Sequence, residues 1–330
     1  MHDVHDVSVP EIVITMGDPS GIGPEISAKA IKDLLAVEDV VFTVVGDKDV
    51  LFKAFTSYCP EAFSQERQRI VFVDADGVSD GALSGSPEDR GALKALRSIE
   101  KSIEIISDRE SPRKKALVTS PVNKENIARV RKGFVGHTEF LQEAFNSDFV
   151  SMAFVGEHLR VVPVTRHVAL KDVPGCLTEE LVLRTIEQVL MERGIMSDVP
   201  DPIVIVTALN PHSGEGGKMG NEEKEIITPA IDAARGIYRQ IEGPVPSDVA
   251  FYRALKSPGS IVVSMYHDQC LGPFKMLDFD NGVNLTLGLG IVRTSPDHGT
   301  AFDIAGKGIA RPGSMKHAIK LAIKALRSST

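Results

Sequence analysis

Residues 261–308 read IVVSMYHDQCLGPFKMLDFDNGVNLTLGLGIVRTSPDHGTAFDIAGKG. Two apolar runs in it, IVVSM (261–265) and VNLTLGLGIV (283–292), have the texture of buried strands. Between and after them come His267, Lys275, Asn284, Arg293, His298 and several carboxylates, punctuated by glycines. A buried segment must satisfy such groups or forfeit about 1–3 kcal/mol for each unmet hydrogen bond, and more for a charge. A ligand site accounts for the whole pattern. A polar surface loop accounts for the polar residues but not for the strands that bracket them.

Outward from this stretch, strands alternate with helices. EIVITMG (11–17), VVFTVVGD (40–47), RIVFVDA (69–75) and KALVTSP (115–121) read as strands, and Arg90–Ser107 reads as a helix. That alternation predicts a parallel sheet covered on both faces. FVSMAFVGEHLRVVPVTRHVAL (149–170) reads instead as two strands joined by a Gly-Glu turn, a hairpin. A helix over 178–193, the strand IVIVTAL (203–209), a helix over 221–236 and the strand IVVSMY (261–266) follow. DGVSDGALSGSPED (76–89) reads as an exposed loop without chemistry. GDPSGIG (17–23) leads into Pro24 and Glu25, a helix start. It is neither GxGxxG nor a Walker A loop. A tight strand-to-helix turn is the plainer reading, with ligand contact as the alternative.

With 330 residues, 42% hydrophobic and 25% charged, the chain has the makeup of a soluble globular protein of one large or, on this length, two domains. A net charge of −8 and the lack of any basic run exclude a general nucleic-acid binder, so an anionic ligand needs a local cationic pocket. No apolar run reaches the roughly 18 residues of a membrane span. The opening MHDVHDVSVPEIVITMG has no signal-peptide pattern, so the expected location is cytoplasmic, with no membrane partner. Cys59, Cys176 and Cys270 are too scattered for a disulfide framework or a metal clip. Cys270 reads as a small buried residue, although His267 nearby leaves a reactive thiol open.

The histidines carry the sharpest signal. Of nine, three follow predicted strands: VVPVTRH ends in His167, IVIVTALNPH in His212 and IVVSMYH in His267. In open α/β sheets, ligands bind outside the carboxyl ends of the strands. Three imidazoles placed there suit a divalent cation with a coordination position left for substrate. Taken singly, each is an ordinary structural histidine. No HExxH pair exists, which argues against a zinc protease. Around His212, NPHSGEGGKMGNEE (210–223) combines glycines that admit close backbone approach with Glu222 and Glu223 at a helix start.

GDPSGIGPE, TSPVNK, GHTEF, NPHSGEGGKMGNEE, GPVPSD, YHDQ and GVNLTLGLGIVRTSPDHGTAFDIAGKG, in this order, resemble the 4-hydroxythreonine-4-phosphate dehydrogenase family of vitamin B6 biosynthesis, from about residue 11 to the C-terminus. The resemblance implies a fold like the isocitrate and isopropylmalate dehydrogenases: two α/β/α domains with a cleft between them, and NAD or NADP bound without a Rossmann fingerprint. It implies a discontinuous domain from 1–130 plus 290–330 and a central domain over 131–289 carrying the contacts of a homodimer with a shared active site. By position, His167, His212 and His267 would hold one divalent metal (Zn, Mg or Co), shared across the dimer. His137, Thr138, Lys275, Asn284 and Arg293 would contact a small phosphorylated four-carbon acid. Asp248, His137 and Lys275 are candidates for acid/base or orienting roles, and His137 could instead only hydrogen-bond substrate.

The implied reaction oxidises 4-phosphooxy-L-threonine at C3 by hydride transfer to NAD⁺ or NADP⁺. The resulting β-keto acid then loses CO₂ to give 3-amino-2-oxopropyl phosphate. A sibling group acts on 4-phospho-D-threonate or 4-phospho-D-erythronate. A metal-dependent phosphate-ester hydrolase and a non-catalytic metal- or ligand-binding protein are readings of other classes. Two departures from the family pattern bear on substrate choice: Gly290 where proline is expected, and DQCLGPFK, with Cys270 and Gly272 in a segment usually close to DQGLIPFK.

Overall fold

The computed structural model describes residues 9–63, 69–75 and 87–328. Most of the 76–89 loop lies outside them. The chain forms two compact units, Met1–Asp148 with Leu289–Thr330, and Phe149–Gly288.

In the first unit, β1 (Glu11–Thr15), β2 (Val41–Gly46), β3 (Ile70–Asp74), β4 (Lys115–Val118) and β11 (Val292–Pro296) pair in the order β3-β2-β1-β4-β11. Every pairing is parallel. The strands are short apolar runs; β2 is buried along its whole length, as a strand covered on both faces must be. Helices start where the sequence supplies caps. Asp47 accepts the Val50 N–H at 2.9 Å to open the helix Lys48–Tyr58, and Asn123 does the same for Asn126 N–H at the start of Lys124–Val130. The C-terminal helix Gly313–Ser328 packs on β11 and β4, which draws the end of the chain into the first unit.

In the second unit, β5 (Ser151–Val155), β6 (Arg160–Thr165), β7 (Val204–Thr207), β8 (Ile241–Val245), β9 (Ile261–Tyr266) and β10 (Val283–Leu287) pair in the order β10-β5-β6-β9-β7-β8. The hairpin β5–β6 and the pair β10–β5 are antiparallel; β6, β9, β7 and β8 run parallel. Phe154, Val161, Ile205, Val262, Cys270, Leu271 and Phe274 form one buried cluster. Phe274 is fully buried, which is worth roughly 1.5–3 kcal/mol for a side chain of that size.

Residues 131–148, which the sequence reading gave to the central domain, sit with the first unit. Arg131 explains why: its guanidinium bonds Glu100 of the helix Pro87–Ser107 at 3.2 Å and lies 4.8 Å over the Phe140 ring. His137 and Thr138 therefore belong to the first unit, whose border falls at Asp148. Among the described residues, no helix is long and apolar enough to cross a membrane.

Candidate active site

The second unit brings two of the three strand-end histidines together. Thr165 of β6 lies opposite Tyr266 of β9, so His167 and His267 emerge from neighbouring parallel strands at their carboxyl ends. Their ring centroids are 5.8 Å apart, with the planes tilted by 43°. Two imidazoles bound through nitrogen to one tetrahedral cation have ring centres about 5–6 Å apart, given metal–nitrogen distances near 2.0–2.1 Å. Asp268 Oδ1 lies 2.7 Å from His267 Nδ1. A proton on Nδ1 donated to that carboxylate leaves a lone pair on Nε2, the arrangement a metal-binding histidine requires.

Gln269 locks this corner. Its Oε1 accepts from Met265 N–H at 2.7 Å and from Thr207 Oγ1 at 3.0 Å, and its Nε2 donates to Ala208 O at 2.7 Å. The end of β9 and the start of the helix His267–Asp278 are thereby tied to the end of β7. Sequence reasoning passed over Gln269 because an isolated glutamine after a histidine carries no pattern of its own.

His212 lies beyond β7, in a loop organised by Glu223. That buried carboxylate accepts the N–H of Leu209 at 2.9 Å and of Asn210 at 2.7 Å, while Asn210 Nδ2 donates to both Glu222 and Glu223. His212, Ser213, Gly214, Glu215 and Gly216 then run in the left-handed region, with φ of 52°, 51°, 76°, 44° and 69°. Left-handed backbone costs roughly 1–2 kcal/mol for each residue with a side chain. Three such residues persist here, the kind of strain that gathers at functional sites. Among the described residues, no three His, Cys, Asp or Glu side chains converge on one point as a metal cage. One chain assembles the pair His167 and His267, which His212 does not join as a third member of such a group among the described residues.

The first unit carries a second set. Arg293, at the second position of β11 and 3% exposed, donates from Nε and Nη2 to Thr119 Oγ1 at 3.2 and 2.5 Å. Burial lowers its pKa to about 10, against the opposing charge of Glu139. His137 opens the helix His137–Ala144, followed by the buried Thr138. His137 Nε2 is enclosed and has no hydrogen-bond partner among the described residues. Burial, and then the positive charge of Arg293, push the His137 pKa down from 6.5 to about 3, so its imidazole is neutral. A neutral ring with an unmet nitrogen, a buried guanidinium and a helix start without a side-chain cap together suit an anion that arrives with the ligand.

This environment sets a pH dependence. In the unfolded chain His137 protonates below about 6.5; in the folded chain it resists until about 3. The unfolded state therefore binds more protons across that window, and stability falls as pH drops from about 6.5 towards 3, with no contribution above. His137→Gln is expected to flatten this part of a urea-midpoint versus pH curve; an unchanged acid slope would contradict the buried neutral ring.

The remaining candidates are placed as follows. Asn284 sits in β10 with its Oδ1 enclosed and without a hydrogen-bond partner among the described residues. Lys275 is half-buried on the helix His267–Asp278, its Nζ 5.3 Å over the Phe279 ring. Asp248 is exposed in the first turn of the helix Ser247–Lys256. His298 is exposed, with Nδ1 3.1 Å from Gly299 O. Cys270 is fully buried, and burial pushes its thiol pKa up, which makes it inert packing. A Cβ at Gly272 would meet nothing within 4 Å, so that departure leaves open space. Gly290 has φ 73°, which proline, locked near −65°, cannot adopt. The backbone there follows a course that the usual family residue would forbid.

Two α/β units, with histidines paired at the carboxyl ends of parallel strands, define the class. The fold is shared with a beta-decarboxylating dehydrogenase from Thermococcus kodakarensis, which aligns with a TM-score of 0.56 at 16% identity, over 96% of this chain and 83% of that one. The family model described as "Pyridoxal phosphate biosynthetic protein PdxA" matches residues 28–322. The 4-hydroxythreonine-4-phosphate dehydrogenase of Methylorubrum populi is 39% identical, with 94% of this chain and 93% of the relative covered. The D-threonate 4-phosphate dehydrogenase of Cupriavidus necator is also 39% identical, covering 94% and 96%. The crystal structure of 4-hydroxythreonine-4-phosphate dehydrogenase from Klebsiella pneumoniae superimposes with a TM-score of 0.80 at 31% identity, over 96% of this chain and 98% of that one. The chain belongs to the PdxA family, whose members named here are dehydrogenases.

Proposed function

We propose that this chain is an NAD(P)- and divalent-metal-dependent dehydrogenase that oxidises 4-phosphooxy-L-threonine at C3 and releases CO₂. The product is 3-amino-2-oxopropyl phosphate, for pyridoxal 5'-phosphate biosynthesis. The observation that carries the proposal is the His167–His267 pair at neighbouring strand ends, in a chain of this family. His167, His212 and His267 would hold the cation, shared across the two subunits of a homodimer. A cation bound there supplies Lewis acidity, lowering the pKa of the substrate hydroxyl and steadying the negative charge that develops as CO₂ leaves. NAD(P)⁺ supplies the hydride acceptor.

The chain's own residues bind and orient. Arg293, Thr138 and the helix start at His137 take the phosphate, and neutral His137 hydrogen-bonds through the nitrogen that lacks a partner. Lys275 adds a mobile point charge for a second anionic group, and Asn284 offers the amide whose oxygen is enclosed. Asp248 is the candidate for proton transfer.

The name of the Cupriavidus necator relative supports a second reading, oxidation of the hydroxy analogue 4-phospho-D-threonate or 4-phospho-D-erythronate. Turnover with each substrate and each nucleotide, followed by appearance of the reduced nicotinamide, separates the two. A kcat/KM at least tenfold higher for the amino substrate is the expected result. The reverse preference replaces the first reading with the second, and phosphate release without nicotinamide reduction removes both.

A further inference from the structure

Arg166 is the last residue before His167, just beyond the end of β6, on the strand whose end carries one of the paired imidazoles. Its Nη1 is shut off from solvent and has no hydrogen-bond partner among the described residues. A guanidinium nitrogen stripped of water and left without an acceptor is destabilising, more so than a neutral donor, because it loses charge-assisted solvation. Two other arginines, the buried Arg293 and the half-buried Arg160, show how the chain meets this need when it can. Arg293 has Thr119, and Arg160 gives Nε to Met196 O at 2.9 Å. At Arg166 Nη1 no described side chain or carbonyl is within reach.

The position narrows what can fill the gap. Any ligand reaching the cation that His167 and His267 are placed to hold comes to the strand end where Arg166 stands. On the proposed function, on which this step rests, the ligand carries two anionic groups. The phosphate is taken by Arg293, Thr138 and the helix start at His137. The carboxylate that departs as CO₂ has only the point charge of Lys275 assigned to it, and no planar fork. A planar fork of N–H donors matches a carboxylate's two oxygens, whereas an amine or a carbonyl-free carbon skeleton offers it nothing.

We propose that Arg166 is the carboxylate-binding residue of the active site, selecting phosphorylated 3-hydroxy acids over phosphate esters that lack the acid group. Its contact is with the group that leaves, so it fixes the plane of the C–C bond that breaks. It takes no part in proton transfer.

The test is calorimetric binding to the full-length protein with saturating Mg²⁺ and no nucleotide, using 4-phospho-D-erythronate and glycerol 3-phosphate. The second ligand keeps the phosphate and hydroxyls but has no carboxylate. Arg166→Gln is expected to weaken 4-phospho-D-erythronate by about 10–100-fold, the worth of a charge-assisted pair. Glycerol 3-phosphate should stay within about twofold, because its contacts are untouched. Arg166→Lys should recover part of the loss, since it restores the charge without the fork. An equal loss for both ligands, or a changed oligomeric state in Arg166→Gln, assigns the residue to structure or to a subunit contact and overturns the proposal. No loss for either ligand also overturns it. If the wild-type protein binds neither ligand and oxidises neither the amino nor the hydroxy acid phosphate, the family-based function has failed, and Arg166's role falls with it. Wild-type turnover alongside an Arg166→Gln variant that binds normally sinks the assignment of Arg166 alone.

Discussion

His267→Ala is expected to lower kcat/KM by about 10³-fold or more, a loss of roughly 4 kcal/mol of transition-state stabilisation. The folded protein should survive the change. The His267 side chain is 36% exposed, and its neighbours in the buried cluster, Phe154 and Phe274, contact each other at 5.9 Å without it. The helix it opens keeps Gln269, whose three hydrogen bonds tie it to β7 and β9. His167→Ala should cost about as much. The double variant should be scarcely worse than either single one, because ligands of one cation act as a unit and their effects do not add. Metal content by elemental analysis should fall in parallel. Retention of turnover within tenfold, or an ordinary additive loss in the double variant, would mean that the pair at 5.8 Å does not hold the catalytic cation.

Asp278→Ala is expected to cost about 3 kcal/mol or more in stability and is the most damaging polar deletion foreseen in the second unit. Asp278 ends the helix His267–Asp278, and its buried carboxylate accepts the N–H of Glu157 at 3.0 Å, of His158 at 3.2 Å and of Leu159 at 3.0 Å. These are the donors of the β5–β6 turn. Each unmet buried donor costs about 1–3 kcal/mol, and partial access of water to the turn keeps the total below the sum. The turn is built around the carboxylate: a Cβ at Gly156 would lie 2.2 Å from Asp278 Cγ, so only glycine lets the chain close on it. His158 Nδ1 joins at 2.9 Å, and this contact raises the His158 pKa. Asp278→Asn should be milder, since one oxygen and the shape remain. Urea unfolding, compared at constant slope, measures both. A shift under about 1 kcal/mol for Asp278→Ala would show that the turn holds without its carboxylate.

The strands and their histidines were legible because their signals are local. IVVSMY, VVPVT and IVIVT are β-rich runs ended by turn residues, and the structure puts strands at Ile261–Tyr266, Arg160–Thr165 and Val204–Thr207. The hairpin over 149–170 was legible for the same reason, a short polar turn between two apolar runs. Caps at Asp47, Asn123 and Thr178 lie where Asp, Asn and Thr precede helical stretches. The loop after β7 was legible only in part. Its glycines and glutamates marked it as unusual, but the left-handed course of His212, Ser213 and Glu215 is not written in residue types that ordinarily avoid it.

What the sequence determined by itself was the set of elements, the placing of imidazoles at strand ends, and the family motifs that run through them. Which strand ends are neighbours was decided by the tertiary structure. The chain makes β6, β7 and β9 in that order, yet the sheet places β9 beside β6, so His167 meets His267. The enclosure of Arg166 Nη1 and His137 Nε2 was decided there too. Burial sums contributions from residues far apart in the chain, and an unmet donor is known only once every possible acceptor has been placed. No local pattern carries that information.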